Sequence, residues 1–267
     1  MGAGAIDQND TQNDLKARLL AALGQGPVTT ESLAAYDELH IGGRAATKHL
    51  AGALALRAGM RVLDAGSGLG GAARYLAEHY GVHVTGIDLD ETYCILAALL
   101  SEKTGLEGAT EFYAGNALDL PYPDSSFDAA YTIHTAMNIA DKAGFYRGIH
   151  RVLKPGAGFA LYDVLAGTNR EPLAYPLPWS ARGEDSFLLT AEELGSILEA
   201  AGFDITLRED RTSFAKAALE RAIRTGKTGA IGLTGGAEAG LRIANLSMAI
   251  DDSRCAVWQF SCRRRQA

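Results

Sequence analysis

From Arg61 to Val164 short apolar runs alternate with helix-length segments, and that alternation leaves few folds open. Arg61–Ala65 reads as a strand ending in glycines, Gly70–Tyr80 as a helix, Val82–Asp88 as a strand and Glu91–Thr104 as a helix closed by Gly105. Ala109–Ala114 and Phe127–His134 are further strands. Lys142–Leu153 is a helix stopped by Lys154-Pro155-Gly156, and Phe159–Val164 a strand. Parallel neighbours need a crossover between them, and a helix supplies it. The fold class is therefore α/β, a doubly wound, mostly parallel sheet with right-handed crossovers.

The flanks depart from this rhythm. Residues 1–10 read as a loose tail; Leu15–Leu23, Thr30–Leu39 (capped by Thr29 or Thr30) and Ala45–Leu56 read as helices. Residues 165–189 contain Pro172, Pro176 and Pro178 and read as an irregular insertion. A helix at Ala191–Ala201, a strand at Phe203–Glu209, a helical, glycine-interrupted stretch at 213–250 and a strand at Arg254–Cys262 follow. The 267 residues make one domain: a helical cover (1–56), a cofactor-binding core (57–164), and lid insertions at 165–189 and 213–250.

Composition narrows the partners. The net charge is −7 with no clustered basic face, so neither nucleic acid nor an anionic membrane is expected. Arg263-Arg264-Arg265 reads as a solvated tail. Cys94, Cys255 and Cys262 are too few for a disulfide framework, and the polar N-terminus has no apolar signal region, so a cytoplasmic protein is expected. Cys255 and Cys262, seven apart in one strand, should face opposite sides. No metal is expected, because Gly81 separates His79 from His83.

Gly66, Gly68 and Gly71 match GxGxxG, the dinucleotide fingerprint, between the first strand and its helix. Asp64, at the carboxyl end of that strand, would repel a pyrophosphate and attract a cationic amino group. S-adenosylmethionine carries such a group, and its carboxylate suits N–H groups at a helix N-terminus. Asp88, eighteen residues after Gly70, is placed for ribose hydroxyls, which NAD and S-adenosylmethionine share, or for capping the next helix. Asn116 offers a carbonyl to an adenine amino group, with Asp119 as rival.

The ordered series Val62-Leu63-Asp64-Ala65-Gly66-Ser67-Gly68-Leu69-Gly70, Gly86-Ile87-Asp88, Gly115-Asn116-Ala117, Phe127-Asp128 and Arg151-Val152-Leu153-Lys154-Pro155-Gly156 resembles the class I S-adenosylmethionine-dependent methyltransferases over about residues 45–210. The resemblance implies a seven-stranded sheet whose last strand is antiparallel, with S-adenosyl-L-methionine as cofactor. It also implies cofactor contacts from Asp64, Gly66, Ser67, Gly68, Asp88, Leu89, Asn116, Ala117 and Ile133. Many members carry Asp where this chain has Asn116. Leu39-His40-Ile41-Gly42-Gly43, with Ala46-Thr47, is similar to the sarcosine/dimethylglycine, phosphoethanolamine and quinone-precursor branch. In that branch the segment folds over the cofactor, which assigns Leu39 and His40 to the cover.

Methyl transfer asks the protein chiefly to align nucleophile, methyl and sulfur. The catalytic candidates are His134 and Asn138, beyond the fourth strand. Phosphoethanolamine methyltransferases hold a catalytic histidine at the position of Asn138, so their acid–base pair does not carry over. Tyr175 and Trp179 are substrate candidates as an aromatic box for a cationic amine, with packing of the lid as their other role, and Arg182 is a possible carboxylate clamp or a solvated side chain. The leading reading is methyl transfer to a small molecule, with an amine favoured because it needs no base. An NAD-dependent oxidoreductase and a non-catalytic S-adenosylmethionine-binding module are the alternatives.

Overall fold

The computed structural model describes residues 8–24, 26–226 and 236–266, and its centre is one seven-stranded sheet. The strands are β1 (Arg61–Ala65), β2 (His83–Asp88), β3 (Thr110–Ala114), β4 (Phe127–Ile133), β5 (Leu153–Ala166), β6 (Phe203–Asp210) and β7 (Cys255–Arg264). Their order is β3-β2-β1-β4-β5-β7-β6, and β7 runs antiparallel to both neighbours. The chain steps outward from β1 to β3 and then returns to place β4 on the other side of β1. That reversal opens a crevice at the carboxyl ends of the strands, where doubly wound sheets bind ligands.

Both faces of the sheet are covered. Along β5, Phe159, Leu161 and Leu165 enter one apolar layer, while Ala160, Tyr162 and Val164 enter the other. Cys255 and Cys262 lie in opposite layers, as their spacing requires. The covering helices are α1 (Gln8–Leu23), α2 (Thr30–Asp37), α3 (Arg44–Gly52), α4 (Gly71–Tyr80), α5 (Glu91–Thr104), α6 (Lys142–Val152), α7 (Ala191–Ala200), α8 (Thr212–Thr225) and α9 (Ala239–Asp251). Thr29 caps α2 through Ser32 N–H, and the Ser32 hydroxyl accepts from the Thr29 N–H in return.

Several boundaries differ from expectation. Residues 8–10 belong to α1, and residues 1–7 of the expected tail lie outside the described residues. The second helix stops at Asp37, freeing Glu38, Leu39 and His40 to turn inward. The third stops at Gly52 instead of Leu56. Lys154-Pro155-Gly156 opens the long strand β5 and is not a separate turn. Arg263 and Arg264 are strand residues, and the Arg264 guanidinium donates to Leu153 O and Ser125 Oγ, so this run is no solvated tail. Residues 227–235 of the expected lid lie outside the described residues. Among the described residues no helix is long and apolar enough to cross a membrane, and no cluster of metal-ligating side chains exists.

Candidate active site

The glycine loop owes its shape to backbone that side chains disfavour. Gly66, Gly68 and Gly70 have φ of 88°, 49° and 74°, in the left-handed region that glycine adopts without a Cβ penalty. Gly66 and Ser67 N–H donate to Ile87 O at 2.8 and 3.1 Å, tying the loop to the end of β2. Asp88 completes the tie: its Oδ2 accepts from Gly68 N–H at 2.7 Å and its Oδ1 from Asp90 N–H at 3.0 Å. The cap of α5 is Asp90, which accepts from Thr92 N–H at 2.8 Å. Asp88 is therefore not the helix cap; it braces the loop and keeps further lone pairs for a ligand.

Asp64 is 2% exposed and accepts a hydrogen bond from Tyr131 Oη at 2.7 Å. Burial pushes its carboxyl up to about 7, against the Tyr131 hydrogen bond and with some help from Asp88. Asn116 spends one lone pair of its Oδ1 locally, accepting from Leu118 N–H at 2.9 Å. Asp119 donates its N–H to Asn116 O and stays away from the cavity.

The eleven residues assigned above to the cofactor all line one cavity of about 360 Å³ at the carboxyl ends of β1, β2 and β4. Asp37 and Tyr93 also line it, and sequence reasoning missed both. Neither lies in the glycine motif; the packing of α2 and α5 brings them in. Asp37, Asp64 and Asp88 thus surround a single cavity, an arrangement that suits a cationic ligand and disfavours a pyrophosphate. Asp37 Oδ1 and Ser67 Oγ are buried without a hydrogen-bond partner, so polar capacity here is unspent.

A second cavity of about 350 Å³ adjoins the first and shares Leu39, Tyr93, His134 and Asn138 with it. Its other walls are Ile41, Met137, Pro178, Trp179, Arg242 and Leu246, with no carboxylate among them. Trp179, one of the two aromatic substrate candidates, lines this cavity. Tyr175 does not: it packs into the apolar layer and over Gly183, lining neither cavity. Arg182 lines neither cavity, whereas Arg242, which the sequence did not single out, lines the second.

His134 and Asn138 sit at the junction. His134 has φ of 49°, a region that non-glycine residues seldom occupy and that marks a position held by its surroundings. Its ring stacks on Tyr162, with centroids 5.2 Å apart and an interplanar angle of 22°. Nε2 of His134 is buried and has no partner. Burial, and then the neighbouring His40, hold this imidazole well below the usual histidine range, so it is neutral at pH 7. Asn138 is committed elsewhere: its Nδ2 donates to Trp179 O and Asp185 O, each at 2.9 Å. It clamps the 165–189 insertion over the junction and leaves only its carbonyl oxygen uncommitted. Lys142 Nζ steadies the same turn, donating to Ala136 O and Ile139 O at 2.8 Å.

The cover is bolted down by charge. Arg74 of α4 is fully buried and donates to Asp37 Oδ2 at 2.9 Å and Ala97 O at 2.9 Å. Glu38, also buried, accepts from Arg44 Nε and Thr47 Oγ1. These bonds hold Leu39 close against the glycine loop, 3.0 Å from where a Cβ on Gly68 would stand.

Comparison with known proteins agrees with this geometry. Residues 63–161 match the family model described as a methyltransferase domain. A sterol 24-C-methyltransferase of Gibberella zeae is 34% identical over 175 residues, covering 62% of this chain and 46% of that protein. A phosphoethanolamine N-methyltransferase of Triticum aestivum is 35% identical over 189 residues, covering 71% of this chain and 34% of that protein. The chain thus spans less than half the length of these curated relatives. Among solved structures, the [4+2]-cyclase SpnF superposes over all of both chains with a TM-score of 0.69 at 24% identity, a likeness of fold.

Proposed function

We propose that this chain, which carries a methyltransferase domain of the class I S-adenosylmethionine-dependent family, transfers a methyl group to a small, largely apolar molecule. The observation that carries the proposal is the pair of adjoining cavities, one ringed by carboxylates and the other walled by apolar side chains together with Arg242, with His134 at their junction. In this reading the first cavity holds S-adenosylmethionine: Asp88 takes the ribose hydroxyls, Asp64 and Asp37 the cationic end, and Asn116 with Ala117 the adenine. The unspent Asp37 Oδ1 and Ser67 Oγ support that fit. When bound, the cofactor supplies an electrophilic methyl group on a sulfonium.

The protein's own residues then align and dry the acceptor. Leu39, Ile41, Met137, Leu246 and Trp179 provide apolar walls that exclude water, as a reactive sulfonium requires. His134 offers one neutral ring nitrogen and Asn138 one carbonyl to the acceptor's polar end. Holding the reacting atoms near contact supplies up to ~7–11 kcal/mol of the barrier. A cavity without a carboxylate favours an uncharged nucleophile, because an unpaired cation is costly to bury. An amine acceptor therefore binds as its free base, the form that is also nucleophilic. The three buried free thiols support a reducing, cytoplasmic setting within the same reading.

Calorimetry with S-adenosylhomocysteine and with NAD tests the first cavity, and only the former is expected to bind. Mass spectrometry of incubations with S-adenosylmethionine and a panel of amines, phenols, quinols, sterols and isoprenoids tests turnover. One structure of this fold is named a cyclase, so formation of methylated product, and not cofactor binding alone, is the deciding readout.

A further inference from the structure

We infer that His40, oriented by Glu38, is the group that removes the acceptor's proton during methyl transfer; this rests on the methyl-transfer reading above.

The argument begins with the tautomer. His40 Nε2 lies 3.2 Å from Gly43 O, 3.3 Å from Glu38 Oε2 and 3.1 Å from Thr47 Oγ1. The Thr47 hydroxyl proton is spent on Glu38, so all three neighbours present lone pairs to Nε2. Nε2 must therefore carry the hydrogen. That leaves Nδ1 as the basic atom of the ring, with no hydrogen-bond partner among the described residues, on a ring that lines the cofactor cavity. The centroid of this ring is 6.0 Å from that of His134, which faces both cavities. His40 itself lines the first cavity and not the second, so it meets the acceptor where the two adjoin at His134. A carboxylate fixing one imidazole nitrogen while the other is left free is the arrangement that orients a general base and stabilises its protonated form.

His134 lacks that support. Tyr162 stacks on one face, no carboxylate pairs with it, and an imidazolium there would be a buried charge without a partner. The charged and titratable groups facing His40 are Glu38 and Arg44 from the cover and His134 and Tyr162 from the sheet. Burial lowers the His40 pKa and Glu38 opposes that, so the ring rests neutral and ready to accept. In the step, the acceptor's lone pair forms the bond to the methyl carbon while the carbon–sulfur bond breaks and leaves its pair on sulfur. The acceptor's proton passes to Nδ1, and the new positive charge sits beside the Glu38 carboxylate.

Two measurements test this. Long-range ¹H–¹⁵N NMR of histidine-labelled protein with S-adenosylhomocysteine reads the His40 tautomer without any acceptor. Hydrogen on Nε2 is expected, and hydrogen on Nδ1, or a ring charged throughout, overturns the inference. With an acceptor from the panel and saturating S-adenosylmethionine, His40→Gln is expected to lose ~10²-fold or more in rate, together with the acid-side rise of the pH–rate profile. Glu38→Gln should keep that rise but move it to lower pH, because the imidazolium loses its counter-charge. Retention of rate and rise in His40→Gln overturns the inference, as does a rise that disappears only in His134→Ala. If the parent protein methylates nothing in the panel, the proposed function is what fails, and the NMR result still decides the role of His40.

Discussion

Arg74 and Asp37 form an ion pair of 2.9 Å with both side chains shielded from solvent, and it joins the helix behind the glycine loop to the end of the covering helix. Removing one partner of such a pair strands a buried charge and costs about 3–5 kcal/mol. Arg74→Met is therefore expected to lower the urea-unfolding free energy by about that amount and to weaken cofactor binding, because Leu39 and His40 lose their anchor. Loss of stability with unchanged S-adenosylhomocysteine affinity would show that the cover does not contact the cofactor.

Asp88 and Asp90 separate two roles that the sequence left combined. Asp88→Ala should weaken S-adenosylhomocysteine binding by ~1.5–3 kcal/mol, the range for hydrogen bonds to a charged group. Asp90→Ala should instead cost ~1 kcal/mol of stability as a lost helix cap and leave affinity nearly unchanged. Titration calorimetry and denaturant melts on both variants check the pair, and an Asp88 variant with parental affinity would confine that residue to bracing Gly68.

Asp64 predicts a pH dependence. Its folded pKa of about 7 lies above the ordinary carboxylate value, so the folded protein holds a proton there that the unfolded chain releases. Its contribution to stability is thus present at low pH and declines as pH rises from about 4 to about 7. A ligand with a cationic amino group favours the ionised form, so binding should release a proton near pH 6 and tighten as pH rises to about 7. Calorimetry in buffers of differing ionisation enthalpy counts that proton. Its persistence in Asp64→Asn would assign it to another group.

Asn138 should act on the insertion more than on the chemistry. Its two bonds to Trp179 O and Asp185 O contribute about 1–3 kcal/mol together, taking ~0.5–1.5 kcal/mol for each. Asn138→Ala is expected to speed amide exchange across residues 179–187 and to raise the acceptor KM more than it lowers kcat. Unaltered exchange there would mean that the insertion is held by other contacts.

The order of strands and helices, the glycine loop and the positions of Asp64, Asp88 and Asn116 were all legible in the chain. They depend on local physics: apolar period, residues that tolerate a positive φ, and acids set at strand ends. The opposite facing of Cys255 and Cys262 was legible for the same reason, since side chains alternate along a strand. Only the tertiary structure decided the rest. No local pattern indicates that Arg74 reaches Asp37, that Glu38 is buried against His40, or that Asn138 clamps the insertion, because each pairing joins segments distant in the chain or turns on burial. Tyr175 illustrates the converse: its aromatic character suited a binding wall, but packing turned it into the apolar layer and left Trp179 in the cavity. What a side chain is made of sets the chemistry open to it, and which neighbours desolvate it decides which part of that chemistry it performs.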